Sequence, residues 1–370
     1  MIPVFEPIIT KADIRSVTSA LIKGQISGTF GDALPEFEEL CAKYHGVKYA
    51  VTTNSCTSAL HLTVEALGIK SGDEVIIQAF TNIATCLAVV HAGATPIAAD
   101  SEPDTWNIDI SQIESKITKK TKAIMPVHIY GHPVDMDPLL KLAQKYNLFV
   151  IEDVAEAQGS EYKGRKVGCF GTAGCMSFYV NKTITTGEGG MVLTNDKNLA
   201  DKINLLKNLA FEKPRFLHWY AGYNYCMPNL VAALGLSQLK RIDSIVKTKR
   251  QIAHWYLKYL KDIPGLQLPK EESWATSSYW MFGVLIEPAL FGRTRDQVME
   301  KMLEHGIETR AFFIPMNVQP VFHKRGFFKN VSCPIAENLG RNGLYFPSGY
   351  NLTEAGVMEI SNKLISLRRE

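Results

Sequence analysis

Between residues 49 and 153, short runs of β-branched and apolar residues alternate with segments of helical periodicity, and few folds accept that order. The strand-like runs are 49–52, 74–77, 95–98, 122–127 and 148–152; the helical ones include 55–67, 83–91 and 137–146. Strands joined through helices run parallel, because a parallel crossover needs a long connection, and the helices then cover both faces of the sheet. The expected class is therefore α/β. Ligands of such sheets bind in the crevice beyond the carboxyl ends of the strands. Asn54, Phe80 and Asp153 should fall there.

Two amphipathic helices, 11–22 and 35–44, precede the alternation, and strand-like runs at 176–180 and 191–194 come after it. Beyond a helix at 199–208 comes an irregular aromatic stretch, PRFLHWYAGYNYCMPN, and then helical periodicity from Leu230 to about Leu260. Thirty or so helical residues would extend about 45 Å, enough to join two domains. At 370 residues the chain exceeds the usual single-domain size. The boundary is expected inside that helix, giving a large α/β domain, 1–245, and a smaller α+β domain, 246–370. Strand-like 279–286 and helices at 294–304 and 353–367 belong to the latter.

Charge excludes some functions. Forty basic against thirty-seven acidic side chains give +3 with no Lys/Arg block, so nothing argues for nucleic acid. The longest apolar runs are far too short to span a membrane. The first residues, MIPVFEPIITKADIR, lack the basic-then-apolar order of a signal peptide, so a cytoplasmic location is expected. Seven cysteines form no CxxC pair and no Cys/His cluster with zinc spacing, which predicts reduced thiols and no metal.

Three places offer chemistry. Lys182 precedes a Gly187-Glu188-Gly189-Gly190 turn; it is either a solvated surface lysine or one desolvated in a crevice, able to form a Schiff base. Ser55-Cys56-Thr57 stands at a strand-to-helix junction, where free N–H groups favour an anion such as phosphate, although capping by Asn54 or Ser55 explains the same residues. Asp153 ends a buried apolar strand and either holds a protonated heterocyclic nitrogen or caps the segment after it, with Glu156 within reach of the same ligand. A phosphate cradle, a pyridinium partner and an amine together, with Ser177 in the strand between, are what pyridoxal phosphate requires.

EDVAEAQG, SFYVNKTITTGEGGMV and GYNYCMPNLVAALGLSQL, in this order, resemble the DegT/DnrJ/StrS family of sugar aminotransferases, pyridoxal-phosphate enzymes of fold type I. The resemblance covers nearly the whole chain and implies a mostly parallel seven-stranded sheet with a smaller C-terminal α+β domain. It further implies that Lys182 carries the cofactor as a Schiff base and moves the proton, that Asp153 pairs with the pyridine nitrogen, and that Glu156 approaches the 3′-hydroxyl. Ser55, Cys56, Thr57 and Ser177 would hold the phosphate, and Asn224 would reach it from the neighbouring subunit of a homodimer. Arg310, Asn317 and His218 are the implied contacts to a nucleotide-linked keto sugar.

By the same resemblance, L-glutamate would donate its amino group, leave as 2-oxoglutarate, and the pyridoxamine phosphate form would aminate C4 of a 4-keto-6-deoxyhexose for an O-antigen-type glycan. Glutamate rather than glutamine at Glu156 favours C4; a 3-keto sugar nucleotide or a keto-cyclitol is the alternative. Several positions depart from the family. Cys56 replaces a glycine, predicting a backbone cost of about 1 kcal/mol if that position needs positive φ. Asn82 replaces the aromatic residue that stacks on the cofactor ring, Cys226 an arginine, and Asn317 a histidine. A dehydratase of the same family would carry histidine in place of Lys182, and a nicotinamide-dependent epimerase would need a GxGxxG turn that is absent. A non-catalytic regulator would lack the lysine or carry an added DNA-binding module.

Overall fold

The computed structural model describes residues 1–368. Its larger sheet contains β1 (Tyr49–Thr53), β2 (Glu74–Gln78), β3 (Thr95–Ala99), β4 (Thr121–Met125), β5 (Phe149–Asp153), β6 (Ala173–Ser177) and β7 (Gly190–Thr194), in the spatial order β1-β7-β6-β5-β4-β2-β3. Only β7 runs against its neighbours. β6 and β7 are buried at every position, as expected of strands covered on both faces. The seven strands and the parallel arrangement agree with the sequence expectation.

Around the sheet lie α1 (Lys11–Ile22), α2 (Ala33–His45), α3 (Cys56–Ala66), α4 (Ile83–His91), α5 (Met136–Tyr146) and α6 (Lys197–Lys207). The expected single helix over 230–260 is instead two, α7 (Asn229–Leu239) and α8 (Ile242–Leu260). Arg241 leaves helical geometry between them (φ −126°, ψ 14°), and its guanidinium donates to Asp13 of α1 at 2.7 Å. Neither glycine nor proline marks this bend; a tertiary ion pair anchors it, and periodicity alone cannot show that. The strand expected at 176–180 also ends early, at Ser177, because Lys182 N–H turns back to the Tyr179 carbonyl at 2.9 Å. Likewise the strand expected from Tyr279 starts at Phe282, after Tyr279 adopts φ 47°.

A second, antiparallel four-stranded sheet is formed by β8 (Leu266–Gln267), β9 (Phe282–Ile286), β10 (Arg310–Ala311) and β11 (Gly343–Phe346), ordered β8-β9-β11-β10. It is covered by α9 (Arg295–Glu304) and α10 (Glu354–Ser366). Ile242, Ile245 and Val246 of α8 enter the core under the large sheet, whereas Ile252, Tyr256 and Leu260 enter the core of the second. The change of partner falls between Val246 and Ile252, inside α8, and we propose the division there, within a few residues of the expected 245 and 246. The first residues cross over: Ile2 pairs with Ile307, and the Val4 carbonyl accepts from Ser348 N–H at 2.9 Å. No helix among the described residues is long and apolar enough to cross a membrane.

Candidate active site

At the carboxyl edge of the large sheet, a cavity of about 290 Å³ is lined by Ser55, Cys56, Thr57, Asn82, Asp153, Glu156, Ser177 and Lys182. The strand ends bring these residues together, since β1, β5 and β6 all point there and α3 and α4 begin there. The second unit closes the cavity with Trp280, Phe313 and Tyr345.

Asp153 is buried; its Oδ2 accepts from the Thr85 hydroxyl at 2.8 Å and its Oδ1 from Ala155 N–H at 3.0 Å. Burial raises its pKa, and these donors and Lys182 only partly offset that. Each oxygen keeps a lone pair for a further donor, so local capping and ligand binding coexist. Glu152, one residue earlier, points to the other face by the strand's alternation. There it accepts from Gly168, Phe170 and Gly171 N–H groups and from His128, and serves the fold.

Glu156 accepts from Tyr130 N–H at 2.9 Å; burial pushes its carboxyl up to about 7 against the pull of Lys182. Lys182 is 9% exposed, not a solvated surface lysine. Desolvation lowers its pKa, with Glu156, Asp153 and Cys56 acting in the opposite sense. A lowered amine pKa favours the neutral, nucleophilic form.

The Ser55 hydroxyl caps α3, accepting from Ser58 N–H at 3.1 Å, so the capping explanation holds for that side chain. The N–H groups of Cys56 and Thr57 make no bond among the described residues and point from a helix start, which suits phosphate. Cys56 is the first residue of α3 and lacks positive φ, so the expected backbone cost is absent. A free helix N-terminus, a buried carboxylate with spare acceptors and an unpaired amine fit pyridoxal phosphate.

Asn82 caps α4, accepting from Ala84 N–H at 3.0 Å, and brings no ring to the cavity; the aromatic lining is Trp280, Phe313 and Tyr345. Four expected residues lie outside it. Arg310 is exposed and paired with Glu308 at 3.0 Å, directly across the ladder from Tyr345. Asn317 is buried and donates to the Val331 carbonyl and to Glu337, a contact within the fold rather than toward a ligand in this cavity. His218 is exposed and packs on Phe211 with ring centroids 5.1 Å apart. Asn224 is exposed and bridges to Asn208.

Sequence reasoning missed Thr85, Gln158 and Trp280. Thr85 was within reach, one turn into the helix that Asn82 starts. Gln158 ties the EDVAEAQ turn to the lysine loop, donating to the Ser177 carbonyl at 2.6 Å and accepting from Ile184 N–H at 2.7 Å. Trp280 arrives from the second unit, with no local signal.

Gly190 is where β7 meets the phosphate turn: a Cβ there would lie 2.3 Å from the Ser55 carbonyl oxygen. Gly190→Ala should therefore push the Ser55-Cys56 turn off the sheet at a cost of about 1–3 kcal/mol. The check is thermal denaturation together with pyridoxal phosphate affinity, both of which should fall.

Residues 7–365 match the DegT/DnrJ/EryC1/StrS aminotransferase family. The chain is 43% identical to GDP-perosamine synthase of Escherichia coli O157:H7, covering 98% of this chain and 97% of that protein. It is 38% identical to GDP-perosamine synthase of Vibrio cholerae, covering 98% of each. Among solved structures, an aminotransferase from Psychrobacter cryohalolentis superposes with a TM-score of 0.91 at 32% identity, covering 97% of each chain. DesV of S. venezuelae superposes with a TM-score of 0.90 at 31% identity, covering 97% of this chain and 95% of that one.

Proposed function

Since the chain belongs to the DegT/DnrJ/EryC1/StrS aminotransferase family, we propose that it moves the amino group of L-glutamate to C4 of a nucleotide-linked 4-keto-6-deoxyhexose, as a GDP-perosamine synthase would. The chain is a pyridoxal-phosphate-dependent sugar nucleotide aminotransferase. For the particular sugar, the support is 43% identity sustained over nearly the whole of both chains.

Bound pyridoxal phosphate supplies an aldehyde and an electron-withdrawing pyridinium ring. Asp153 would keep the ring nitrogen protonated, since a buried carboxylate is stabilised by a cation beside it. Cys56 and Thr57 N–H groups, with Ser177, would hold the phosphate. Lys182, once displaced by the incoming amine, would carry a proton to and from the reacting carbons. Glu156 would orient the ring hydroxyl, with its own carboxyl fixed by Tyr130 N–H. The second unit's aromatic residues exclude water from this edge.

A homodimer with shared sites belongs to the same proposal. Asn224 is exposed, and so are Phe216, Trp219 and Tyr220 near it and Ile14, Leu21 and Ile22 on α1; apolar surface of that extent favours a protein partner. Contact of Arg310 and His218 with the sugar nucleotide would need such an assembly or a movement of the rim. All seven cysteines are free, which supports a reducing, cytoplasmic setting. A role in O-antigen-type glycan synthesis is part of the same proposal.

The test is a panel of GDP- and dTDP-linked 4-keto and 3-keto 6-deoxyhexoses, with a keto-cyclitol, offered with L-glutamate. Product NMR should place the new amine at C4 with retention of the nucleotide. Amination at C3, or of the cyclitol alone, would replace this reading with its alternative.

A further inference from the structure

The chemistry of Lys182 depends on where its ammonium rests, and the carboxylates nearest in charge, Glu156 and Asp153, are not hydrogen-bonded to it. No carboxylate of the described residues comes within 4.0 Å of Nζ. Instead Nζ lies 3.6 Å from the centroid of the Trp280 ring. The indole is held on two sides. Its Nε1–H donates to the Asn181 carbonyl, adjacent to the lysine, at 2.7 Å. Behind it the 278–280 backbone lies against Gly131 (φ 101°), where a Cβ would come within 2.7 Å of Tyr279 N and 3.0 Å of Trp280 N. Ser278 N–H also donates to the Ser160 hydroxyl at 3.0 Å. The ring, carried by the second unit, is thus fixed against the large unit before any ligand arrives.

We propose that the Trp280 indole face is the seat of the Lys182 ammonium whenever that lysine is not bonded to the cofactor, which makes Trp280 a positioning residue for the lysine's proton transfers. A desolvated ammonium gains most from a π face when its carboxylates stand off, as here. The arrangement keeps the amine beside Asp153 and Glu156 without an ion pair that would hold it out of reach of substrate. Other titratable groups lining the cavity are Cys56 from α3, Tyr345 from β11, and Tyr179 and Glu188 from the lysine's own loop. The inference deepens the aminotransferase reading and rests on it for its purpose, though not for the contact itself.

Two measurements test it. An ammonium against an indole quenches its emission and a neutral amine does not, so the cofactor-free protein should show a fluorescence step as pH rises from about 6 to about 10. That step should vanish in Lys182→Met. A wild-type titration without the step, or a step that survives in Lys182→Met, overturns the proposal. Second, the rate at which the apoprotein forms its yellow adduct with pyridoxal phosphate should follow a pH profile displaced about one unit lower in Trp280→Leu, because loss of the π face disfavours the ammonium, and much less in Trp280→Phe. Superimposable wild-type and Trp280→Leu profiles also overturn it. A wild-type fluorescence step with no yellow adduct would leave the contact standing and remove the cofactor reading.

Discussion

Lys182→Ala should lower transamination by on the order of 10⁴-fold, because one side chain both anchors the aldehyde and moves the proton. The loss should fall on kcat. Removing a buried amine whose charge is disfavoured by burial leaves the fold intact, so thermal stability should hold or rise slightly. Pyridoxal phosphate should still bind, through the α3 N-terminus and Asp153, but without a covalent bond. Stopped-flow and steady-state assays with glutamate check the first point and equilibrium dialysis the second. Turnover within tenfold of wild type would remove Lys182 from its assigned role.

Asp153→Asn is the second large effect, at about 10²–10³-fold in kcat. Asparagine fits the site: its carbonyl can accept from Ala155 N–H while its amide donates to the Thr85 hydroxyl oxygen. The substitution removes charge rather than shape, so the protein should fold and hold the cofactor with the ring nitrogen no longer kept protonated. Glutamate half-reaction kinetics should show the deficit, and the ultraviolet-visible spectrum of the bound cofactor should shift. An unchanged half-reaction would mean that ring protonation is set by another group.

Much of this site is legible in the amino-acid sequence because its parts sit at the ends of strongly patterned elements. Lys182, Asp153, Glu156, Ser177 and the Ser55-Cys56-Thr57 turn each border a strand or helix whose alternation or periodicity is plain, and parallel topology places such ends on one edge. The fold is readable on the same basis, with α1 and α4 bounded correctly to the residue. The features that sequence could not supply depend on distant residues. The bend at Arg241 is anchored by Asp13, more than two hundred positions away, and Trp280 reaches Lys182 from a segment, 278–280, that lies against Gly131. Asn317 resembles a ligand contact because of where it stands in a motif, yet Val331 and Glu337 take up its side-chain N–H groups. Cys56 looks costly because it replaces glycine, but a helix start tolerates any L-residue in αR geometry.

The central claim is that one buried lysine in this cavity carries the cofactor. Purified protein loaded with pyridoxal phosphate, reduced with borohydride and digested should yield a single peptide bearing the reduced cofactor on Lys182, and none after prior conversion with excess glutamate. Label on another lysine, on Lys249 for instance, or no label on a protein that turns over glutamate, would contradict the account.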